Sequence, residues 1–442
     1  MQDNLLLRLQ CGVNSKIWGK VGHESMAARF AATTTPDLQI ELNRPYAELW
    51  AGTYPSNPCK DVASGRSLID LIAVDASLLS TSVKARYGSR LPFLLKILSI
   101  GKPLSIQAHP NKRLAEQLRS KYPDIYPDDN HKPEMAIALS DFEGLCGIRP
   151  LEEMAHFLTH VPSFRMLVGD HSAQLCFAAA CGGGLLGSAA QNALALQSAF
   201  TALLAASPDS VTAATRLLVA EASSKVEEFA GGGVKSTSGA VLAELVARLY
   251  MHFPDDVGIF FIFFLNHVRL SPGEAVFLKA DTIHAYLSGD IIECMAASDN
   301  VVRAGLTHNF KDTDAFTQLF EHAVLEEPRV DAKVYARATL NQAAINSASQ
   351  LLLYDPPVDE FSIVRSVLIG HGAKATLDPI SGPLIAICTS GSGRIAVGPT
   401  RKEIKEGWVY FLGANSKLDL ECIGTETNEF TTFIAFCEGG GA

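Results

Sequence analysis

The sequence predicts a mainly β fold with α elements, in which β-sandwich domains flank an inserted helical domain. Residues 1–150 and the chain after residue 273 contain short apolar runs broken by Pro, Gly and other turn residues, as in antiparallel strands. Residues 151–255 are instead rich in Ala, Leu and Glu at helical spacing. Residues 331–442 return to short β-like segments, which is typical of sandwiches and barrels.

These changes in pattern divide the chain into three predicted domains. We expect one β domain from residues 1–150 and 256–330, a helical domain from residues 151–255 and a C-terminal β-sandwich from residues 331–442. In the first part, LPFLLKILSI (91–100) reads as a buried apolar segment and PLSIQAHP (103–110) as a short strand between prolines.

Helical spacing predicts helices that begin at residue 151 and cover residues 191–206 and 209–230. Asp209 or Ser210 is the expected N-cap of the last one. Glycine runs at residues 182–184 and 231–233 separate these pieces.

The chain after the helical domain changes character twice. Asp255-Asp256 before VGIFFIFFLNHV predicts another buried helix with an acidic N-cap. TIHAYL and IIECMA then predict two antiparallel strands, with Gly289 at a turn between them.

Composition bounds the class of function. The chain has 442 residues, about three domains' worth. With 37 Lys+Arg against 47 Asp+Glu, its net charge of −10 argues against binding nucleic acid through phosphate contacts. The nine cysteines are odd in number and lack CxxC spacing, which favours free thiols in the cytoplasm. The longest apolar run (257–265) is far shorter than the roughly 20 residues of a membrane span, so we expect no membrane association.

Four polar residues stand out as candidate metal ligands. Gln107 and His109 are two apart, so on a strand they share one face. Glu134 follows in NHKPEM, and His284 lies in the predicted strand TIHAYL. Such N and O donors with one negative charge suit Zn²⁺ or a similar divalent ion and leave a position open. Spacing alone leaves the alternative that these histidines are hydrogen-bonded core residues.

A second group could carry acid–base chemistry. Glu293 lies in the apolar run IIECMA, where it is either a buried ion-pair partner or a general base with a raised pKa. Arg303 suits a phosphate or a developing oxyanion, although a salt bridge with Asp299 is the plain alternative. Further candidates are Lys96, which interrupts LPFLLKIL, together with Lys132 and the possible proton carrier His131.

Three long segments together resemble the signatures of type I phosphomannose isomerases: PLSIQAHPNK (103–112), YPDDNHKPEM (126–135) and HAYLSGDIIECMAASDNVVRAGLT (284–307). NSKIWGK (14–20) and PYAELWAGTYPSNP (45–58) fit as well. The matches follow the family's order over roughly residues 1–315. The resemblance implies a cupin-like fold of jelly-roll β-sandwich domains with a helical domain.

The resemblance also implies a chemistry. By it, Gln107, His109, Glu134 and His284 are ligands of one zinc ion, and Arg303 is the active-site arginine of the RAG motif. Further pocket positions fall on Lys96, His131, Lys132, Tyr286, Glu293 and Asp299.

The implied reaction interconverts mannose 6-phosphate and fructose 6-phosphate through an enediol and supplies mannose for GDP-mannose and glycan synthesis. We expect Glu293 to be the proton shuttle, with His131 as the second choice, in a monomeric enzyme with a sugar phosphate as its small-molecule partner.

One departure from the family pattern matters for the phosphate. RAGLT is usually followed by Pro-Lys, whereas this chain has His308-Asn309, and Lys311 is the available substitute. Two other functions stay open. An Fe(II) oxygenase would use two His and one carboxylate, but a Gln ligand and the basic residues favour the isomerase. A sugar-phosphate-binding protein without activity is the other alternative.

Overall fold

The computed structural model describes residues 6–35, 38–181, 189–319, 328–425 and 428–439. The predicted class, mainly β with inserted helices, is confirmed. The predicted glycine separator at 182–184 lies outside the described residues. In these ranges, no helix has both the length and the apolar character that crossing a membrane requires.

The N-terminal region consists of short strands and helices, as its Pro- and Gly-punctuated pattern predicts. All eight residues of Phe93–Ile100 are buried, which explains the apolar character of this strand on both faces, with Lys96 as its one charged residue. The strands are β1 (Leu6–Gln10), β2 (Gly12–Asn14), β3 (Lys20–Val21), β4 (Pro45–Tyr46), β5 (Glu48–Ala51), β6 (Lys60–Asp61), β7 (Phe93–Ile100), β8 (Ile106–Ala108), β9 (Glu134–Ala138) and β10 (Phe142–Ile148). The helices are α1 (Met26–Thr34), α2 (Leu68–Val74), α3 (Thr81–Tyr87) and α4 (Lys112–Lys121).

The helical region follows directly. Its helices are α5 (Leu151–His160), α6 (Pro162–Cys181), α7 (Ala189–Leu204), α8 (Pro208–Ser224) and α9 (Gly239–His252), with a small hairpin of β11 (Gly233–Val234) and β12 (Thr237–Ser238). The sequence reading missed α6 and α9. In α6 the apolar spacing is broken at Gly169, where a φ of 78° kinks the helix.

The predicted cap of α8 was wrong. Ser207 caps this helix, because its side chain accepts a hydrogen bond from the Ser210 backbone N–H and Pro208 fills the first turn. The helix also ends at Ser224 rather than at residue 230.

Two expectations for the following segment also need correction. Val257–Phe263 is a buried 3₁₀ helix capped by Asp256, as predicted, but it ends at Phe263, and the last four residues of the predicted helix, LNHV, belong to a strand. Residues 284–296 form one continuous strand, not two strands joined by a turn at Gly289. The elements here are β13 (Leu265–Leu270), β14 (Ala275–Leu278), β15 (His284–Ala296), β16 (Val302–Gly305) and α10 (Thr313–Gln318).

The C-terminal region is β-rich, as its alternating segments predict. Its elements are β17 (Arg329–Val330), β18 (Lys333–Val334), β19 (Ala338–Leu340), α11 (Gln342–Asn346), β20 (Gln350–Tyr354), β21 (Ser362–Ile369), β22 (Lys374–Leu377), β23 (Leu384–Ser390), β24 (Ser392–Val397), β25 (Thr400–Lys405), β26 (Val409–Leu412), β27 (Leu418–Cys422) and β28 (Glu429–Phe436). Strand β1 pairs with β26, so the start of the chain joins the C-terminal sheet, which the pattern of the sequence does not anticipate.

The long strand β15 organises the first β region. Its first half pairs with β8 and β10, and its second half pairs with β7 and β9. The change of partner falls at Gly289, whose φ is 118°, and an added Cβ there would lie 2.7 Å from the Asp141 carbonyl oxygen. Only glycine fits this bend. The bend lets one strand pair with two different sets of neighbouring strands.

Candidate active site

Three strands bring the predicted metal ligands together. His284 lies opposite Gln107 in the antiparallel pairing of β15 with β8. Glu134 starts β9, opposite Met295 of β15, and His109 directly follows β8. One donor atom from each of His109, Glu134 and His284 lies within 4.8 Å of the others, and all three residues are buried.

Hydrogen bonds set the protonation of both imidazoles. His109 Nδ1 lies 2.7 Å from the Asn300 carbonyl oxygen, and His284 Nδ1 lies 2.9 Å from the Thr282 carbonyl oxygen. A carbonyl only accepts, so each Nδ1 donates its proton. In the neutral rings Nε2 therefore carries a lone pair, which is the form that binds a metal.

Both lone pairs lie close to the carboxylate oxygens of Glu134. Because all of these atoms are electron-rich, a cation between them would stabilise the arrangement. His109 Nε2 lies 3.2 Å from Glu134 Oε1, and His284 Nε2 lies 3.3 Å from Oε2. Within the described residues, the buried atoms His109 Nε2 and Glu134 Oε2 have no hydrogen-bond partner. Gln107 Nε2 lies 3.4 Å from His284 Nε2, and a 180° turn of the amide exchanges Nε2 for Oε1 at that position. The donor set therefore fits a zinc ion.

The electrostatics keep these groups in their ligand forms. Burial and the Lys132 ammonium lower the pKa of His109 to about 4, so its ring is neutral at pH 7. Burial opposes the charge on Glu134, but neighbouring groups that include the Lys132 ammonium, 3.3 Å from Oε1, outweigh it, and the pKa of this carboxyl lies well below its usual value. A neutral His109 ring and an ionised Glu134 carboxylate result, as metal binding requires.

The shifted pKa of His109 predicts how the metal-free protein responds to pH. The unfolded chain protonates this ring near its ordinary pKa of 6.5, whereas the folded chain does so only near 4. The unfolded state therefore binds more protons than the folded state between pH 6.5 and pH 4. The free energy of unfolding should fall by about 3 kcal/mol as the pH is lowered through this range.

Urea unfolding of chelator-treated protein between pH 4.5 and 7 measures this dependence. The variant His109→Gln, which cannot titrate, should show a shallower slope. Equal slopes for the two proteins would assign the pH dependence to other groups.

A cavity of about 1400 Å³ opens beside the metal ligands. Gln107 and Glu134 line it, so a metal held there faces the cavity. Most of the other predicted site residues also line it, namely Lys96, Lys132, Tyr286, Glu293, Asp299 and Arg303.

Lys96 and Glu293 form a buried ion pair on neighbouring strands, with Nζ 3.0 Å from Oε2. Burial raises the pKa of Glu293, and the Glu134 charge adds to this rise while Lys96 opposes it. Burial alone lowers the pKa of a lysine, but the carboxylate of Glu293 and two further glutamates outweigh it and raise that of Lys96. The sequence left an ion pair and a functional carboxylate as alternatives, and the structure makes Glu293 both paired and exposed to the cavity.

Tyr286 adds its hydroxyl to this wall, and this hydroxyl has no hydrogen-bond partner in the part of the chain that the structure describes. It is buried and lies two residues from His284 on β15. Burial, followed by Glu134 and Glu293, raises the pKa of the phenol well above its usual value. The group therefore stays protonated and can donate to a polar molecule in the cavity.

The alternative salt bridge between Arg303 and Asp299 does not form. Within the described residues Arg303 has no ion-pair partner, and burial lowers its pKa from the high value of a free guanidinium. Asp299 is exposed at the rim and lies beside Tyr54, whose pKa is raised by burial and by Asp299. A fixed cation therefore faces the cavity without a protein counter-ion in the described part of the chain.

His131 lies elsewhere. It is absent from the described residues that line the cavity, and its Nε2 lies 2.9 Å from Glu360 Oε1. Its neighbour Lys132 reaches the cavity and places Nζ 3.3 Å from Glu134 Oε1. Although His131 and Lys132 are adjacent in the sequence, Lys132 lines the cavity, whereas His131 does not belong to its described lining.

The departure from the family pattern lies at the cavity rim. His308 and Asn309 line the cavity, and the His308 ring packs against Phe253 at the end of α9. Lys311 was expected to replace the missing lysine, but its Nζ binds Asp256 at 2.9 Å. Lys16 and Lys102 line the cavity instead.

Several lining residues were not predicted as site residues. Trp50 holds Glu48 through its Nε1, at 2.9 Å, and its ring lies 5.2 Å from Lys96 Nζ. Glu48 and Trp50 belong to the segment PYAELWAGTYPSNP, which fits the family resemblance but suggested no role for either residue. Their position beside Lys96 follows from the pairing of β5 with β7, which the sequence does not specify.

Comparison with known proteins places this geometry in a family. The chain matches the phosphomannose isomerase type I catalytic domain over residues 6–151, the helical insertion domain over 170–265 and the type I C-terminal model over 352–399.

Full-length relatives agree with these matches. A mannose-6-phosphate isomerase of Emericella nidulans is 52% identical, covering 98% of this chain and 97% of the relative. One of Saccharomyces cerevisiae is 39% identical and covers 99% of both chains.

Solved structures extend the agreement to three dimensions. A zinc-bound mannose 6-phosphate isomerase superposes with a TM-score of 0.74 at 26% identity, over 98% of this chain and 100% of that one. A variant of phosphomannose isomerase from Salmonella typhimurium superposes with a TM-score of 0.75 at 26% identity, with the same coverage. Family matches, full-length identity and fold together show that this chain belongs to the type I phosphomannose isomerase family.

Proposed function

We propose that the chain is a zinc-dependent aldose–ketose isomerase that interconverts D-mannose 6-phosphate and D-fructose 6-phosphate. The observation that carries this proposal is the buried His109–Glu134–His284 cluster, with unpaired donor atoms, at the wall of a cavity that also holds the Lys96–Glu293 pair. Gln107 is the proposed fourth ligand. A metal, a carboxylate of raised pKa and an unpaired arginine are what an enediol mechanism needs.

In the proposed mechanism Glu293 moves the proton between C2 and C1 of the open-chain sugar. Its raised pKa brings the carboxylate closer to the working pH, where a base can both accept and return a proton. Lys96 holds that carboxylate in place. Arg303 stabilises the enediolate or holds the phosphate, and Lys132 assists ring opening. Zinc, when bound, supplies Lewis-acid stabilisation of negative charge on a sugar oxygen.

The direct test is the formation of fructose 6-phosphate from mannose 6-phosphate by the purified protein. Activity should disappear after chelation and return when zinc is restored, because the site lacks its cation without the metal. Magnesium added to the chelated protein is the control, since two of the proposed donors are imidazole nitrogens and Mg²⁺ prefers oxygen ligands. A folded, zinc-loaded protein without activity would contradict the proposal and favour the sugar-phosphate-binding protein.

The oxygenase alternative has less support. Gln107 adds a fourth donor to the two histidines and the carboxylate, and the cavity carries the basic residues that a phosphorylated sugar requires. Activity that appeared only with Fe(II) and dioxygen would reverse this preference.

The remaining parts of the proposal concern organisation and setting. We propose a cupin-like catalytic domain from residues 1–150 and 256–330, a helical domain from 151–255 and a C-terminal β-sandwich from 331–442. We also propose a monomer in the cytoplasm that supplies mannose for GDP-mannose and glycan synthesis. Light scattering on the purified chain would test the monomer.

A further inference from the structure

Residues 128–130, which precede β9, are hydrogen-bonded to residues 297–300, which connect β15 to β16. Asn300 Nδ2 donates to the carbonyl oxygens of Asp128 at 2.8 Å and of Asn130 at 3.1 Å. Asn130 Nδ2 in turn donates to the Ala297 carbonyl oxygen at 3.2 Å. These bonds fix residues 128–130 next to the metal ligands. They leave the following residues, His131 and Lys132, to be held from elsewhere.

The C-terminal β region supplies that second support. Glu360 lies just before β21, and its Oε1 is 2.9 Å from His131 Nε2. Both side chains are largely buried, with 13% of Glu360 and 28% of His131 exposed. Burial opposes the charge on Glu360, but the bond from His131 prevails and lowers the pKa of this carboxyl, so it is ionised at neutral pH.

An ionised carboxylate can only accept a hydrogen bond, and this determines which nitrogen of the His131 ring carries the proton. Nε2 of His131 must carry a proton, and in the neutral ring Nδ1 is then the only nitrogen with a lone pair. One contact therefore sets both the orientation and the tautomer of His131. The adjoining Lys132 lies in the cavity, with Nζ 3.3 Å from Glu134 Oε1.

We propose that Glu360 is a positioning residue through which the C-terminal β region controls the isomerase site: it fixes His131 and, through the shared backbone, the cavity lysine Lys132. This inference rests on the proposed isomerase function. Glu360 itself is absent from the described lining of the cavity, so its effect is transmitted by the residues it holds.

The neighbouring residue offers a matched control. Asp359 lies on the same segment but pairs with Arg86 of α3, and both side chains of that pair are solvent-exposed, at 65% and 44%. Asp359→Asn removes a charge from the same loop without touching His131. Glu360→Gln keeps an oxygen that accepts from Nε2, whereas Glu360→Ala leaves Nε2 without this acceptor.

The kinetic test compares these variants as full-length, zinc-loaded proteins with measured metal content. Glu360→Ala should lower kcat about tenfold or more with KM changed less than about twofold, because a small displacement of groups beside the reacting atoms slows chemistry more than binding. Glu360→Gln should retain most of the rate, and Asp359→Asn should match the unaltered protein.

Two further measurements separate positioning from general stability. With ¹⁵N-labelled histidine, a protected Nε2–H resonance of His131, assigned by its loss in His131→Gln, should persist in Glu360→Gln and Asp359→Asn but vanish in Glu360→Ala. His131→Gln combined with Glu360→Ala should be no slower than His131→Gln alone, since both changes break one contact.

Each contrary outcome is distinct. Full kcat in Glu360→Ala, survival of the resonance in that variant, or an equal loss of rate in Asp359→Asn would overturn the inference. If Glu360→Ala fails to fold, Glu360→Asp, whose shorter side chain draws the carboxylate away from Nε2, replaces it and should be slower than Glu360→Gln. An unaltered protein without isomerase activity would instead overturn the proposed function, and the resonance would still report on the contact.

Discussion

Replacing Glu293 with glutamine should lower turnover by about 100-fold or more while bound zinc stays unchanged. The amide has nearly the same shape but cannot take up a proton, so the transfer between C2 and C1 loses its carrier. The carboxylate is 3.0 Å from Lys96, faces the cavity and has a pKa raised by burial. No other predicted carboxylate combines these properties, because Glu134 is a proposed metal ligand and Asp299 lies exposed at the rim.

The same strand offers a control for this experiment. Asp290 is also buried on β15 and is also paired with a lysine, Lys20, but that pair lies outside the described lining of the cavity. Asp290→Asn should cost stability and leave kcat per folded molecule near normal. Near-normal kcat in Glu293→Gln would remove this residue from the proton transfer. A loss of zinc in the variant would show instead that the ion pair supports the metal site.

Replacing His284 with alanine should lower zinc affinity by more than about 100-fold and abolish activity at ordinary zinc concentrations. Loss of a residue that only orients a ligand already costs about 10- to 100-fold in affinity, and His284 supplies a donor atom directly in the proposed site. The melting temperature should fall too, since metal binding to the folded state contributes stability. Zinc per chain after dialysis against a weak chelator and calorimetry measure the two effects.

His267 provides the comparison for this variant. It lies on β13 with a buried side chain, its Nε2 is 2.7 Å from Glu143 Oε1, and it does not belong to the cluster of three donors found in the described residues. His267→Ala removes an imidazole–carboxylate contact of the same kind and should keep one zinc per chain. Full zinc content in His284→Ala would mean that this residue is not a ligand and that the proposed set is wrong.

Local pattern was sufficient for part of the fold. The buried strand over Phe93–Ile100 and the helices starting at residues 151 and near 190 follow from apolar runs and periodicity, which depend only on neighbouring residues. The pattern failed at Gly289, where turn chemistry suggested a reversal but packing against Asp141 bends a continuous strand. It failed again after Phe263, where the apolar run continues but the helix ends and Leu265–Leu270 forms a strand.

For the candidate site, too, the sequence determined one part and the tertiary structure another. Residue chemistry and motif resemblance identified Gln107, His109, Glu134 and His284, because donor type and strand spacing are local properties. Their convergence depends on the register of β15 against β8 and β9, and Gln107 and His284 are 177 residues apart in the chain. A register between distant strands is set by packing of the whole sandwich, not by either strand alone.

The partners of the charged residues were decided entirely by tertiary packing. Lys311 looked free for phosphate but binds Asp256, and His131 looked like a cavity residue but binds Glu360 of the C-terminal β region. A sequence states which groups can ionise and which metals or anions they suit. Which charge meets which depends on Coulomb interactions over a few ångströms, and only the folded chain brings residues so far apart in sequence within that range.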